Sequence, residues 1–71
     1  MPELTYEVTQ ELGVLSESPN GWKKELNLVS WNGRKAKYDI REWSPDRSRM
    51  TKGITLSEEE VETLKNILND L

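Results

Sequence analysis

The sequence predicts an α+β fold in one domain, residues 1–71: a four-stranded antiparallel sheet followed by a C-terminal helix, in the order ββββα. Three observations predict it. Apolar residues alternate with polar ones along the first part of the chain, the pattern of half-buried strands. Asn20-Gly21 and Asn32-Gly33 interrupt the pattern with residues that tolerate positive φ at tight turns. From Ser57 onward, an S-x-x-E capping box precedes apolar residues at helical spacing.

Each element has its own signal. Tyr6, Val8, Leu12 and Val14 fall on even positions between Thr5, Glu7, Thr9 and Glu11, with Gly13 marking a bend or bulge. Ser16 to Gly21 is turn chemistry, with Pro19 setting φ before Asn20-Gly21. Trp22 to Trp31 reads as a second strand, ended by Asn32-Gly33. Lys37 to Trp43 is the third, with Tyr38 and Ile40 on one face and Asp39, Arg41 and Trp43 on the other. After a polar loop opened by Ser44-Pro45-Asp46, Lys52 to Leu56 is a short fourth strand. Ser57 and Glu60 then cap a helix whose first turn holds three glutamates, where the helix dipole favours anions. Val61, Leu64, Ile67, Leu68 and Leu71 form its apolar stripe.

Charge is distributed unevenly. Residues 21–53 hold all three tryptophans and nine of the ten cations; against four acids this leaves +5. Residues 1–20 and 54–71 carry −4 each, which hides the basic block inside an overall charge of −3. Cations interleaved with flat aromatic rings suit a single-stranded nucleic acid, whose phosphates need positive charge and whose unstacked bases need π faces.

Other chemistries are excluded or unsupported. Without His or Cys there is no triad, thiol catalysis or usual zinc site. No Gly-rich phosphate loop is present. Asp39 and Glu42 are three apart on an extended strand and face opposite ways. The expectation is no enzyme, no cofactor and no metal. No stretch reaches the roughly 18 apolar residues of a membrane span, so no membrane partner is expected and the location expected is cytoplasmic and nucleoid-associated.

Only 34 % of the 71 residues are apolar and no disulfide can form. A core that small is marginal alone, which predicts a homodimer with Val61, Leu64, Ile67 and Leu68 at its interface.

Among the aromatics, Tyr6 and Tyr38 are expected in the core. Trp22 precedes Lys23-Lys24, and Trp31 adjoins a turn followed by Arg34, Lys35 and Lys37. Trp43 shares a strand face with Arg41, and burying it would draw a guanidinium into the core, which is costly unless paired. Trp22, Trp31 and Trp43 are therefore expected to stack on bases, with Lys24, Lys37, Arg41 and Lys52 on phosphates. Trp43→Ala is expected to weaken oligo-dT binding about tenfold with the fold intact.

Trp31-Asn-Gly, Tyr38-Asp-Ile-Arg-Glu-Trp43 and Lys52-Gly-Ile-Thr-Leu-Ser57 before an acidic-capped helix form an ordered set. It resembles the DNA-binding domain of transcriptional positive cofactor four, most closely its compact bacterial YdbC-like members. The resemblance implies a homodimer of curved sheets with helices at the interface and single-stranded DNA across the sheets. By position it implies nucleic-acid roles for Arg41, Lys52, Trp31 and Trp43. The resemblance does not extend to the Ser-rich regulatory tail of eukaryotic members, so no coactivator role through such a tail is expected. The leading expectation is thus sequence-tolerant single-stranded DNA binding in transcription, replication or repair. The alternatives are a protein-interaction module for an acidic partner such as an RNA polymerase subunit, and an RNA-binding sheet.

Overall fold

Turn chemistry places the strand ends. In the computed structural model, which describes residues 5–71, β1 (Tyr6–Glu17), β2 (Lys23–Trp31), β3 (Lys37–Trp43) and β4 (Ile54–Leu56) precede α1 (Glu58–Asn69). The strands form one antiparallel sheet in the order β1-β2-β3-β4. Gly21 adopts φ 88°, and Asn32 and Gly33 adopt 52° and 73°, the positive values that the two Asn-Gly pairs predict. Asn32 also ties the second turn to β1: its amide donates to the Thr5 carbonyl at 2.8 Å and its Oδ1 accepts from the Thr5 amide at 2.9 Å.

Two strands are shorter than expected. The Trp22 amide donates to Asn20 Oδ1 at 3.1 Å, so it closes the turn and leaves β2 to begin at Lys23. Gly53 lies so close to the Ile40 carbonyl and Arg41 Cβ that a side chain there would collide with them, and β4 starts only at Ile54.

β1 departs most from its sequence pattern. Its register against β2 shifts between Val8 and Gln10, Glu11 and Gly13, and Val14 and Ser16. Gly13 borders one of these irregularities, as expected. Each extra residue bends the strand and resets which face the following side chains take. The even-numbered stripe therefore does not stay on one buried face: Val8 is half-buried, while Leu12 and Val14 are 40 % and 56 % exposed.

The pairing register defines two faces. One carries Glu25, Asn27, Val29 and Trp31 of β2 beside Lys37, Asp39, Arg41 and Trp43 of β3. The other carries Lys24, Leu26, Leu28, Tyr38, Ile40, Ile54 and Leu56. The sheet curls around the first. Tyr6 pairs with Trp31 at one end of β2 and Trp43 with Lys23 at the other, yet the Tyr6 and Trp43 rings are 5.6 Å apart. The concave face holds the most buried side chains: Trp43, Val29, Asn27 and Asp39.

Both halves of the predicted capping box are present. Ser57 Oγ accepts from the Glu60 amide at 3.1 Å, and Glu60 Oε1 accepts from the Ser57 amide at 2.9 Å. Among the described residues α1 touches only β3 and β4 and buries none of its side chains. Val61 is half-buried; Leu64, Ile67 and Leu68 are 38 %, 57 % and 55 % exposed.

Candidate nucleic-acid interface

Two stacks of ring, guanidinium and carboxylate line the concave face. In one, Arg41 lies 4.6 Å over the Trp31 ring and grips Asp39 with both arms, Nε to Oδ1 at 2.6 Å and Nη2 to Oδ2 at 2.7 Å. In the other, Arg47 lies 4.9 Å over the Trp43 ring; its Nη1 donates to both Glu25 oxygens at 2.9 Å and its Nη2 reaches Glu11 at 3.5 Å. Tyr6 sits between the stacks, 5.6 Å from each indole.

The loop after β3 delivers Arg47. Asp46 Oδ1 accepts from the Ser48 amide and hydroxyl and from the Ser44 hydroxyl, at 3.0, 2.7 and 2.9 Å. Ser44 is also joined to Arg49 in both directions, its amide donating to the Arg49 carbonyl and its Oγ accepting from the Arg49 amide. These bonds hold Arg47 at φ 62°, a left-handed conformation uncommon outside glycine. The three bonds from Ser48 and Ser44 bring the Asp46 carboxyl from its ordinary 3.8 to about 2. Burial pushes the Glu25 carboxyl up, but the Asn27 amide and Arg47 more than offset this and hold it below its ordinary 4.5.

The expected exposed ring of Trp43 is a correction. Trp43 is 2 % exposed, with Tyr6 and Arg47 against it, so its faces are closed to a base in the free chain. The objection to burying it beside Arg41 fails because Arg41 is paired: Asp39 takes the guanidinium, leaving the arginine side chain 12 % exposed. Arg41 is thus committed inside the protein rather than extended for phosphate. Trp31 is half-buried against Tyr6 and Arg41, and Trp22 is half-buried at the turn before β2. Tyr6, expected in the core, is 40 % exposed, and Tyr38 is half-buried.

The expected lysines do not share one face. Lys37 lies on the concave side, while Lys24 points to the opposite side. Lys52, just before β4, borders with Lys24 and Glu42 a depression of about 440 Å³. Lys23, Lys24, Arg34, Lys35, Lys37, Arg49 and Lys52 are all exposed and, among the described residues, have no carboxylate within ion-pair distance. The basic block therefore keeps most of its charge unneutralised. That suits a long-range attraction for polyanions.

Sequence reasoning did not anticipate Arg47, Glu25, Asn27 or Asp39. The spacing of Asp39 and Arg41, two apart on one strand, was the available signal for their pairing. Nothing local signals the Glu25–Arg47 pair, whose members are 22 residues apart. Three buried polar atoms on this face have no hydrogen-bond partner among the described residues: Asn27 Oδ1, Trp31 Nε1 and Trp43 Nε1. Among the described residues no three carboxylates are grouped to hold a metal ion.

The sequence profile of the family described as Transcriptional Coactivator p15 (PC4) matches residues 18–67, from the turn before β2 almost to the end of α1. An uncharacterized protein of Treponema pallidum (strain Nichols) is 56 % identical over 66 residues, a match that covers 93 % of this chain and 78 % of the relative.

Proposed function

Because this chain belongs to the transcriptional coactivator p15 (PC4) family, whose members bind single-stranded DNA, we propose that it is a sequence-tolerant single-stranded DNA-binding protein acting as a homodimer in transcription, replication or repair. The observation that carries the reading is the set of seven exposed cations, from β2 to the residue before β4, that have no carboxylate partner among the described residues. Lys24 and Lys52 beside their shared depression, and Lys37 at the concave rim, are the phosphate contacts. Trp22 and Trp31, both half-buried, supply base stacking at about 1–3 kcal/mol per base.

The dimer part rests on surface. The chain exposes 5632 Å², whereas a compact monomer of 8.3 kDa exposes about 4,600 Å² by the usual mass scaling. The exposed stripe of Leu64, Ile67 and Leu68 accounts for part of that excess and is the surface a second copy covers.

Titration of oligo-dT, oligo-U and matched duplex at two salt concentrations, with mass measured alongside, tests both parts. The expected result is preference for single strands, two chains per particle, and a log–log salt slope of about −0.7 per phosphate engaged. Equal affinity for duplex, or affinity independent of salt, overturns the proposal; a monomeric mass overturns its dimer part. Tighter binding of oligo-U than oligo-dT transfers the reading to RNA.

A further inference from the structure

We propose that Arg47 is an unassigned nucleic-acid contact that covers Trp43 in the free chain, and that it exchanges the carboxylates of Glu11 and Glu25 for a backbone phosphate, opening the indole to a base. This rests on the single-stranded DNA reading and assigns it a residue outside the three segments that carry the family resemblance, Trp31–Gly33, Tyr38–Trp43 and Lys52–Ser57.

The geometry is that of a removable cover. Trp43 is 2 % exposed, with the Arg47 guanidinium 4.9 Å over its ring. Among the described residues the buried Trp43 indole Nε1–H has no acceptor, which leaves a desolvated donor unpaired there. A finished core rarely keeps such a group.

Arg47 itself is loosely enough held to move. Its side chain is 36 % exposed, and the Glu11 link is 3.5 Å long to a carboxylate that is 68 % exposed, the kind of pair that water and salt weaken. Its φ of 62° is a conformation that a residue with a Cβ adopts at some cost. The stronger link is to Glu25, whose side chain is 7 % exposed. Glu25 is not orphaned by the exchange, because Asn27 Nδ2 still donates to its Oε1 at 3.0 Å. A phosphate offers the same forked acceptor geometry as a carboxylate, so the guanidinium keeps its pairing. Base stacking then replaces the cation over the ring.

The experiment uses a chain with Trp43 as its sole tryptophan (Trp22→Phe, Trp31→Phe), with and without Arg47→Ala. Anisotropy of labelled oligo-dT reads binding; Trp43 emission and acrylamide quenching read the ring; circular dichroism reads the fold. With Arg47 present, Trp43 should be shielded from acrylamide and lose emission on saturation with oligo-dT. Arg47→Ala should abolish the shielding before any DNA is added. In the otherwise unaltered chain, Glu11→Gln should tighten oligo-dT binding about twofold to fivefold, the worth of a surface ion pair released. Glu7→Gln on the same strand is the control for net charge and should give less. Equal effects of Glu11→Gln and Glu7→Gln overturn the proposal without depending on the aromatic variants. Oligo-dT binding with unchanged Trp43 emission overturns it and leaves the single-stranded DNA reading standing. Absence of oligo-dT binding by the unaltered chain ends both.

Discussion

Asp39 and Arg41 show how a charged pair becomes core. They stand two residues apart on β3 and so share a face, and the register sets Asn27 opposite Asp39 and Glu25 opposite Arg41. Thr55 of β4 adds a hydroxyl to Asp39 Oδ2 at 3.2 Å. A buried ion pair is a weak net stabiliser, but one left half-made is costly, so these groups enforce one arrangement. Around them Trp43 contributes the largest buried side chain. Trp43→Ala should therefore destabilise the fold by about 3–5 kcal/mol, read as a fall in the urea midpoint. A loss under about 1 kcal/mol would mean that the ring contributes little packing. This replaces the sequence expectation of an intact fold. The alternation placed Trp43 and Arg41 on one face correctly; that this face closes is decided by the acids that take the two guanidiniums, Asp39 on the same strand for Arg41 and Glu25 of β2 for Arg47.

At the scale of elements, α1 was the most legible because its signals are local. The cap, the acidic first turn and the apolar spacing all lie within residues 57–71, and both cap bonds form. Since no side chain of α1 is fully buried among the described residues, its cap has an outsized share in keeping it helical. Ser57→Ala should cost about 1 kcal/mol and lower the melting temperature by about 4–8 °C. An unchanged melting temperature would show that α1 is held chiefly by packing against β3, β4 or another chain. β1 was the least legible. Its alternation reads as one straight strand, but three register shifts bend it, and only Gly13 hints at any of them. Bulges arise where a strand must follow a curved neighbour, and that demand is written in the sheet rather than in the strand.

The whole molecule is a strongly curled sheet with a polar, aromatic concave face and a helix lying open at its side. Its acid response follows from two carboxyls. Glu25 titrates below its ordinary 4.5, and Asp46 titrates at about 2 instead of 3.8. A depressed folded-state pKa stabilises the fold fully above the ordinary value and loses that contribution as pH falls through the folded one. Stability should therefore hold from neutral pH to about 4.5 and then decline as Glu25 and Asp46 take protons. Urea midpoints measured between neutrality and pH 2 would check this. Asp46→Asn should flatten the section below 3.8, and an unaltered acid limb would remove Asp46 from the account.

By itself the sequence determined the element order, the hairpin turns, the helix cap and the basic, tryptophan-bearing middle segment, because each depends on neighbours within a few residues. Only the tertiary structure decided which face of the sheet closes, that Lys24 and Lys37 part company, and that Arg41 and Arg47 cover tryptophans. Those outcomes depend on partners brought together across strands, such as Glu25 and Arg47, whose meeting is set by register and curvature rather than by local spacing.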